Sequence, residues 1–127
     1  MNQFESKNVN PKKRKTSDCV IRALALGLNK SWREVFDLLI EKAREMCMTQ
    51  NATEVYTKVL DEMGFKTVDI FYTKNGKKKR YRVNDFPYRE GYIVVVANHL
   101  TFIKGGKYYD TFDCGNKAIY KAWRVQE

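Results

Sequence analysis

The sequence predicts an α+β domain in which N-terminal helices pack on an antiparallel β-sheet. Helical periodicity dominates the chain before Gly64, and strand-forming residues dominate after it. The 127 residues are 43% hydrophobic and 13% aromatic, which is enough for one packed core. Residues 1–15 are polar, basic and interrupted by Pro11. We therefore expect a basic N-terminal arm followed by a single domain over residues 16–127.

The first predicted helix is nearly all apolar and begins at Cys19. Ser17 and Asp18 are favourable N-cap residues, and Gly27 is a stop signal. Arg22 is the only charged residue in the run of nine that follows Cys19. Such a helix is suited to lie between or beneath its amphipathic neighbours.

Two amphipathic helices follow. Ser31 and Glu34 have the spacing of a capping box, and apolar residues recur at helical spacing after them. The next helix begins near Asn51 and ends at Gly64, with its apolar residues on one face. Both helices therefore need a shared apolar partner.

The second half of the chain contains five runs of strand-forming residues. They are residues 67–73, 92–97, 99–104, 107–112 and 118–125. Asn75-Gly76 is a strong turn signal within a lysine-rich segment, which predicts an exposed, basic loop or hairpin tip. Gly105-Gly106 predicts a tight turn between two strands of similar length.

The composition argues against a membrane protein, a secreted protein and a disulfide-bonded protein. No stretch reaches the roughly 18 consecutive apolar residues of a membrane span, and the N-terminus lacks the apolar segment of a secretory signal. We expect a cytoplasmic protein without membrane contact. Its three cysteines fit no disulfide framework and no Cys-x-x-Cys metal pair, so reduced thiols are expected.

The net charge of +9 comes largely from two basic clusters. Charge runs usually form a solvated surface, but such an excess also attracts an acidic protein or a nucleic acid. The clusters are Lys12, Lys13, Arg14 and Lys15 in the first, and Lys77, Lys78, Lys79 and Arg80 in the second.

Cys19 is placed where a thiol becomes reactive. In the first turn of a helix, the free N–H groups and the helix dipole favour a thiolate over a thiol. A cysteine within a helix would gain no such effect. Cys47 and Cys114 are expected to be packing or incidental residues.

His99 is the only histidine, and it begins one strand of the hairpin closed by Gly105-Gly106. A two-residue or four-residue loop would put His99 and Asp110 on one face as diagonal neighbours. A three-residue loop would set His99 opposite Asp113 instead. Because Gly-Gly favours the two-residue turn, Asp110 is the preferred partner and Asp113 the alternative.

Cys19, His99 and Asp110 would supply a nucleophile, a general base and an orienting carboxylate. The imidazole takes the thiol proton and then stabilises the thiolate, while the carboxylate fixes the histidine tautomer. A lone histidine that only satisfies a partly buried polar site is the structural alternative. Zinc would accept Cys19, His99, Asp110 and Cys114, but no short knuckle supplies two of these ligands, so we expect no metal and no cofactor.

The segments "DCVIRALA" and "VVVANHLTFIKGGKYYDTFDCG" resemble the small papain-like cysteine peptidases related to the bacteriocin-leader peptidases. The likeness is closest to uncharacterised members of that fold encoded in bacteriophage genomes. It covers residues 16–123 and implies a papain-like fold acting on a peptide or protein substrate. In that fold Cys19 would be the nucleophile, His99 the base and Asp110 the orienting residue.

The chain departs from this family at the oxyanion site. Papain-like peptidases carry a glutamine several residues before the nucleophile, and here no glutamine occurs between Gln3 and Cys19. The backbone N–H of Cys19 would be one donor, with Thr16, Ser17 or Asn10 as candidates for the second. The negative charge of Asp18 beside the thiol would act against a lowered thiol pKa.

Three functions follow from these patterns. The first is a thiol hydrolase or acyl transferase that acts on peptide or isopeptide bonds. The second is a basic nucleic-acid-binding module that uses the two lysine-rich clusters, although the chain contains no recognised binding motif. The third is a catalytically silent papain-like fold that serves as an adaptor or inhibitor of a host protein.

Overall fold

The computed structural model describes all residues from 1 to 127 and confirms an α+β fold with three helices. The helices are α1 (Cys19–Leu28), α2 (Trp32–Met46) and α3 (Thr53–Glu62). The strands are β1 (Gln3–Ser6), β2 (Lys66–Thr67), β3 (Phe71–Lys74), β4 (Lys77–Arg80), β5 (Gly91–Val96), β6 (His99–Lys104), β7 (Lys107–Asp110) and β8 (Lys121–Gln126). None of the helices has the length and apolar character needed to cross a membrane.

Six strands form one sheet in the order β1-β7-β6-β5-β8-β2, and β3 and β4 form a separate hairpin. The helices cover one face of the large sheet, where Leu24, Leu39 and Trp123 are fully buried. Loops and the short 3₁₀ turn Val83–Asp85 cover the other face, where Phe86 and Ile119 are buried. The sheet is therefore buried on both faces.

The sheet is mixed, so the expectation of a wholly antiparallel sheet is wrong at one edge. β1 pairs with β7 in parallel, with Gln3 opposite Lys107 and Ser6 opposite Asp110. This pairing satisfies backbone groups that the outer edge of β7 would otherwise leave free. Residues 3–6 are thus an edge strand and not part of an arm.

The predicted strand over residues 67–73 is divided between the two sheets. Lys66–Thr67 pairs with β8, and Phe71–Lys74 pairs with β4. The Asp69 carboxylate accepts a hydrogen bond from the Phe71 backbone N–H at 3.0 Å, which turns the chain between the two segments. As predicted, Asn75-Gly76 closes an exposed, lysine-rich hairpin.

Helix α1 is the central helix of the domain. It packs against β6 on one side and α2 on the other, and most of its residues are buried. Helix α2 has the predicted capping box, in which the Ser31 hydroxyl accepts from the Glu34 N–H and the Glu34 carboxylate accepts from the Ser31 N–H, both at 3.1 Å. The packing of α1 fixes the position of Cys19 at its N-terminus.

Gly27 does not end α1 as predicted, because the helix continues to Leu28 and Asn29 is its left-handed C-cap. A glycine is needed at position 27 because the sheet lies too close for a side chain. A Cβ atom at this position would lie 2.7 Å from Ile93 Cδ1 and 3.0 Å from Val125 Cγ2. Ile93 is fully buried and has little room to move. The glycine therefore sets how closely α1 approaches the sheet.

We expect Gly27→Ala to lower the free energy of unfolding by about 1–3 kcal/mol, although alanine is the better helix former. The cause is overpacking against Ile93. Urea unfolding measures the loss, and Ile93→Val in the same chain should restore part of it by removing the Cδ1 methyl group. Additive effects of the two substitutions would contradict this explanation.

Candidate active site

Cys19 and His99 lie together at the junction of two surface pockets. The first, which we call the Tyr56 pocket, has a volume of about 420 Å³ and includes Val20, Tyr56 and Leu100 in its walls. The second, the basic pocket, has a volume of about 770 Å³ and includes Arg14 and Lys15. Only Ser17, Cys19, Asn98 and His99 line both pockets.

His99 is bonded to Asp110 across the β6–β7 hairpin. The hairpin has the predicted two-residue turn, since Lys104 is opposite Lys107 and Phe102 is opposite Tyr109. His99 Nε2 lies 2.6 Å from Asp110 Oδ2, and both residues are buried. Because Nε2 is held by the carboxylate, Nδ1 is the ring nitrogen left for a second partner.

Asp113, the alternative carboxylate, has other partners. It accepts hydrogen bonds from the Tyr108 hydroxyl and from the Gly115 N–H, in the loop beyond β7. The chain leaves the strand after Asp110, earlier than the predicted end at residue 112. Asp110 is therefore the carboxylate that the hairpin presents to His99.

Arg22 holds Asp110 from the other side. Its Nη1 donates to Asp110 Oδ1 at 3.0 Å, and its Nε donates to Asp18 Oδ1 at 2.8 Å. The Thr111 N–H also donates to Asp110 Oδ1, at 2.7 Å. The guanidinium is buried, so these charge-assisted bonds act in a region of low polarity. The two oxygens of Asp110 are thus fixed by groups on α1, β6 and its own loop.

Asp18 occupies the N-cap position of α1, but its side chain does not cap the helix. Its carboxylate instead accepts three hydrogen bonds, from Arg22 Nε, from Trp32 Nε1 at 2.9 Å and from Asn10 Nδ2 at 3.1 Å. The negative charge of Asp18 is thereby directed toward Arg22. This pairing weakens the unfavourable effect that the sequence predicted for it on the neighbouring thiol.

The site favours an imidazolium cation. Burial alone would lower the pKa of His99, but the hydrogen bond to Asp110, contacts with Cys114 and Cys19, and the negative charge of Asp110 raise that pKa to about 11. Burial would likewise raise the pKa of Asp110, yet its hydrogen bond to His99 and the positive charge of that ring bring the pKa below the ordinary value. Both members of the pair are therefore charged near neutral pH.

The same charges act on the thiol. Burial raises the pKa of Cys19, whereas the side chain of His99, the backbone of Leu100 and the positive charges of His99 and Arg22 outweigh burial and lower it. Asp18, Asp110, Arg22 and His99 carry two negative and two positive charges when all are ionised. The net charge of these four groups is therefore zero, and the positively charged member next to a Cys19 thiolate is His99.

The other two cysteines differ from Cys19 in their surroundings. Cys47 is exposed at the end of α2, and Cys114 is buried with its thiol 3.7 Å from Asp110 Oδ2. His99, Asp110 and Cys114 offer three ligand atoms within 4.8 Å of one another. Arg22 already neutralises Asp110 there, and the short bond between His99 and Asp110 leaves no gap for an ion, so this cluster is a poor fit for a metal.

The candidate oxyanion donors differ in whether they line the pockets beside Cys19. Asn10 is buried outside both pockets with its amide on Asp18, so it is poorly placed for this role. Thr16 lines only the basic pocket, whereas Ser17 lines both. Asn98 also lines both pockets, and it has φ of 53° in the turn between β5 and β6.

The two basic clusters lie in different places. Arg14 and Lys15 form part of the basic pocket, and the whole 12–15 cluster is exposed. Lys77–Arg80 is β4, in the exposed hairpin, and no residue of it lines a pocket beside Cys19. The clusters are therefore two separate surfaces.

Sequence reasoning assigned no role in the site to three of its contributors, Arg22, Trp32 and Asn98. Arg22 could have been found, because a single charged residue in an otherwise apolar helix needs a buried partner. Phe112, which the register of the two-residue turn places opposite His99, packs against that ring with centroids 4.7 Å apart and planes tilted by 50°, and it forms part of the basic pocket. No feature of the sequence marked Trp32 as a partner of Asp18, because that contact depends on how α2 packs against α1.

No family model, curated protein or solved structure matches this chain. The resemblance to the papain-like peptidases therefore stays a prediction drawn from the motifs around Cys19, His99 and Asp110.

We expect Arg22→Met to lower the free energy of unfolding by about 3–5 kcal/mol, because it leaves Asp18 and Asp110 buried without their shared cation. Urea unfolding at neutral pH measures this loss. The difference from the unsubstituted protein should shrink as the pH falls and the two carboxylates take up protons.

Arg33→Met is the matched control, since Arg33 is exposed on α2 and forms no ion pair. It should change stability by less than about 0.5 kcal/mol. Equal effects of the two substitutions would show that the buried network contributes nothing specific.

Proposed function

We propose that this chain is a papain-like thiol hydrolase or acyl transferase that acts on peptide or isopeptide bonds. The observation that carries the proposal is the placement of His99. Its Nε2 is bonded to buried Asp110, while its ring shares the walls of both pockets with Cys19 at the N-terminus of α1. In this proposal Cys19 is the nucleophile, His99 the acid and base, and Asp110 the orienting carboxylate.

The reaction would run through an acyl-enzyme. The Cys19 thiolate attacks the carbonyl carbon of the substrate, and a C–S bond forms as the carbonyl electrons move onto oxygen. Collapse of this intermediate breaks the C–N bond, and the His99 imidazolium gives its proton to the departing amine. Neutral His99 then takes a proton from water, or from an acceptor amine, which attacks the acyl group and restores the thiolate.

The developing oxyanion needs at least two donors. The backbone N–H of Cys19 has no partner within α1, because Cys19 is the first residue of that helix. Ser17 and Asn98 are the polar residues that remain at the junction of the pockets, and each carries a side-chain donor. A donor from either would replace the glutamine that the family places before its nucleophile.

The likeness to papain-like peptidases gains support from the order of the parts. A cysteine opens a buried helix, and a histidine and an aspartate follow on adjacent strands of one sheet. A small phage-encoded member of this superfamily is the identity that we propose, with a peptide or protein as substrate.

The alternatives make different predictions. A catalytically silent adaptor would have no need for an ionised thiol at Cys19. Nucleic-acid binding is supported only by charge, above all by the exposed Lys77–Arg80 hairpin, and stays a prediction. Reactivity of Cys19 is therefore the property that separates the enzyme from both alternatives.

We expect Cys19 to react with iodoacetamide at mildly acidic pH, and to react faster than Cys47 and Cys114. The lowered pKa of Cys19 is the reason. His99→Ala should slow the reaction roughly tenfold or more, since each unit of increase in a thiol pKa lowers the thiolate fraction about tenfold. Peptide mapping of the labelled protein across pH measures all three cysteines.

Asp110→Asn should slow labelling of Cys19 less than His99→Ala does, because the ring would be present but poorly held. Asp113→Asn is the matched control and should leave the rate unchanged. If Cys19 reacted no faster than exposed Cys47, or if His99→Ala had no effect, the enzyme proposal would be wrong.

A further inference from the structure

The two pockets that meet at Cys19 differ in charge. The Tyr56 pocket contains no Lys, Arg, Asp or Glu in its walls. The basic pocket contains Arg14, Lys15, Arg22 and Asp18. A substrate that extends through both pockets would therefore meet an uncharged surface on one side of the reacting bond and a charged one on the other.

The positive charge of the basic pocket is not neutralised by the protein. Arg22 and Asp18 are bonded to each other, and Arg22 is also bonded to Asp110. Arg14 and Lys15 form no ion pair, and no other carboxylate lines this pocket. Two free positive charges consequently face the space beside Cys19.

The segment that carries these two residues is held in place. Asn10 Oδ1 accepts from the Lys12 N–H at 3.0 Å, and Asn8 Nδ2 donates to the Arg14 carbonyl at 3.2 Å. The Asn10 amide also donates to buried Asp18. The backbone of the basic segment is therefore anchored to the same carboxylate that binds Arg22, at the rim of the site.

We infer that the substrate of the proposed peptidase carries acidic residues on one side of the reacting bond, and that Arg14 and Lys15 bind them in the basic pocket. This inference rests on the proposed function. A cleft with unpaired charge of one sign concentrates ligands of the opposite sign and speeds their association. Glutamate or aspartate side chains are the groups in a peptide that such a pocket would select.

Three reactive peptides of different charge test the inference. Chloroacetyl-Gly-Glu-Glu-amide, chloroacetyl-Gly-Gln-Gln-amide and chloroacetyl-Gly-Lys-Lys-amide alkylate a thiolate with loss of chloride. Each rate at Cys19 is divided by the rate of the same peptide with the neutral thiol N-acetylcysteine amide. At low salt we expect the acidic peptide to react about tenfold faster than the neutral one, and the lysine peptide to react slowest.

The double variant Arg14→Glu/Lys15→Glu should abolish or reverse this order. Lys77→Glu/Lys79→Glu is the matched control, because it changes the net charge by the same amount on the distant hairpin. It should keep the order of the three peptides. A loss of selectivity in both double variants would assign the effect to overall charge and overturn the inference.

Two further outcomes distinguish a failure of the acidic-substrate inference from a failure of the proposed enzyme function. If Cys19 reacted faster than the reference thiol with all three peptides alike, the acidic substrate would be wrong and the reactive thiol would stand. If no peptide reacted faster at Cys19 than with the reference thiol, the proposed function would fail, and the inference with it.

Discussion

The buried ion pairs of Arg22 are the interaction on which the site depends. Arg22 is the fourth residue of α1, the most buried helix, and it reaches Asp18 at the N-cap of that helix and Asp110 on β7. Taking a guanidinium and two carboxylates out of water is costly, and only close pairing offsets that cost. The pairing joins α1 to the hairpin that carries His99. It therefore aligns the two elements whose ends form the candidate active site.

The remaining geometry follows from how α1 is packed. Gly27 lets the helix approach Ile93 closely, and the side chains of Asp18, Arg22 and Asp110 are buried where α1 meets the hairpin. Of the residues of α1, Cys19, Val20 and Arg22 line the pockets, and Cys19 is the partly exposed nucleophile among them. The stability of the fold and the ionisation of the thiol thus depend on the same charges. A substitution that disturbs the network is expected to affect both.

Local patterns predicted a large part of this arrangement. The capping box at Ser31, the Gly105-Gly106 turn and the resulting approach of His99 to Asp110 all depend on residues close in sequence. Long-range contacts were not predictable in the same way. β1 pairs with a strand about a hundred residues away, and Arg22 bonds to Asp110, which is 88 residues distant. Arg22 stood out in the sequence as the single charged residue of an apolar helix, but no local pattern predicted that Asp110 would be its partner.

The ionisation state of Cys19 is the central claim, and a direct titration of the thiol tests it. The ultraviolet absorbance of the thiolate, measured across pH and corrected with a Cys19→Ala reference, gives the thiol pKa without any substrate. The charges around the site predict a value below the ordinary 9.0 of a cysteine, and a higher value in His99→Ala. A thiol that titrates at or above its ordinary value, with no response to loss of His99, would contradict the account.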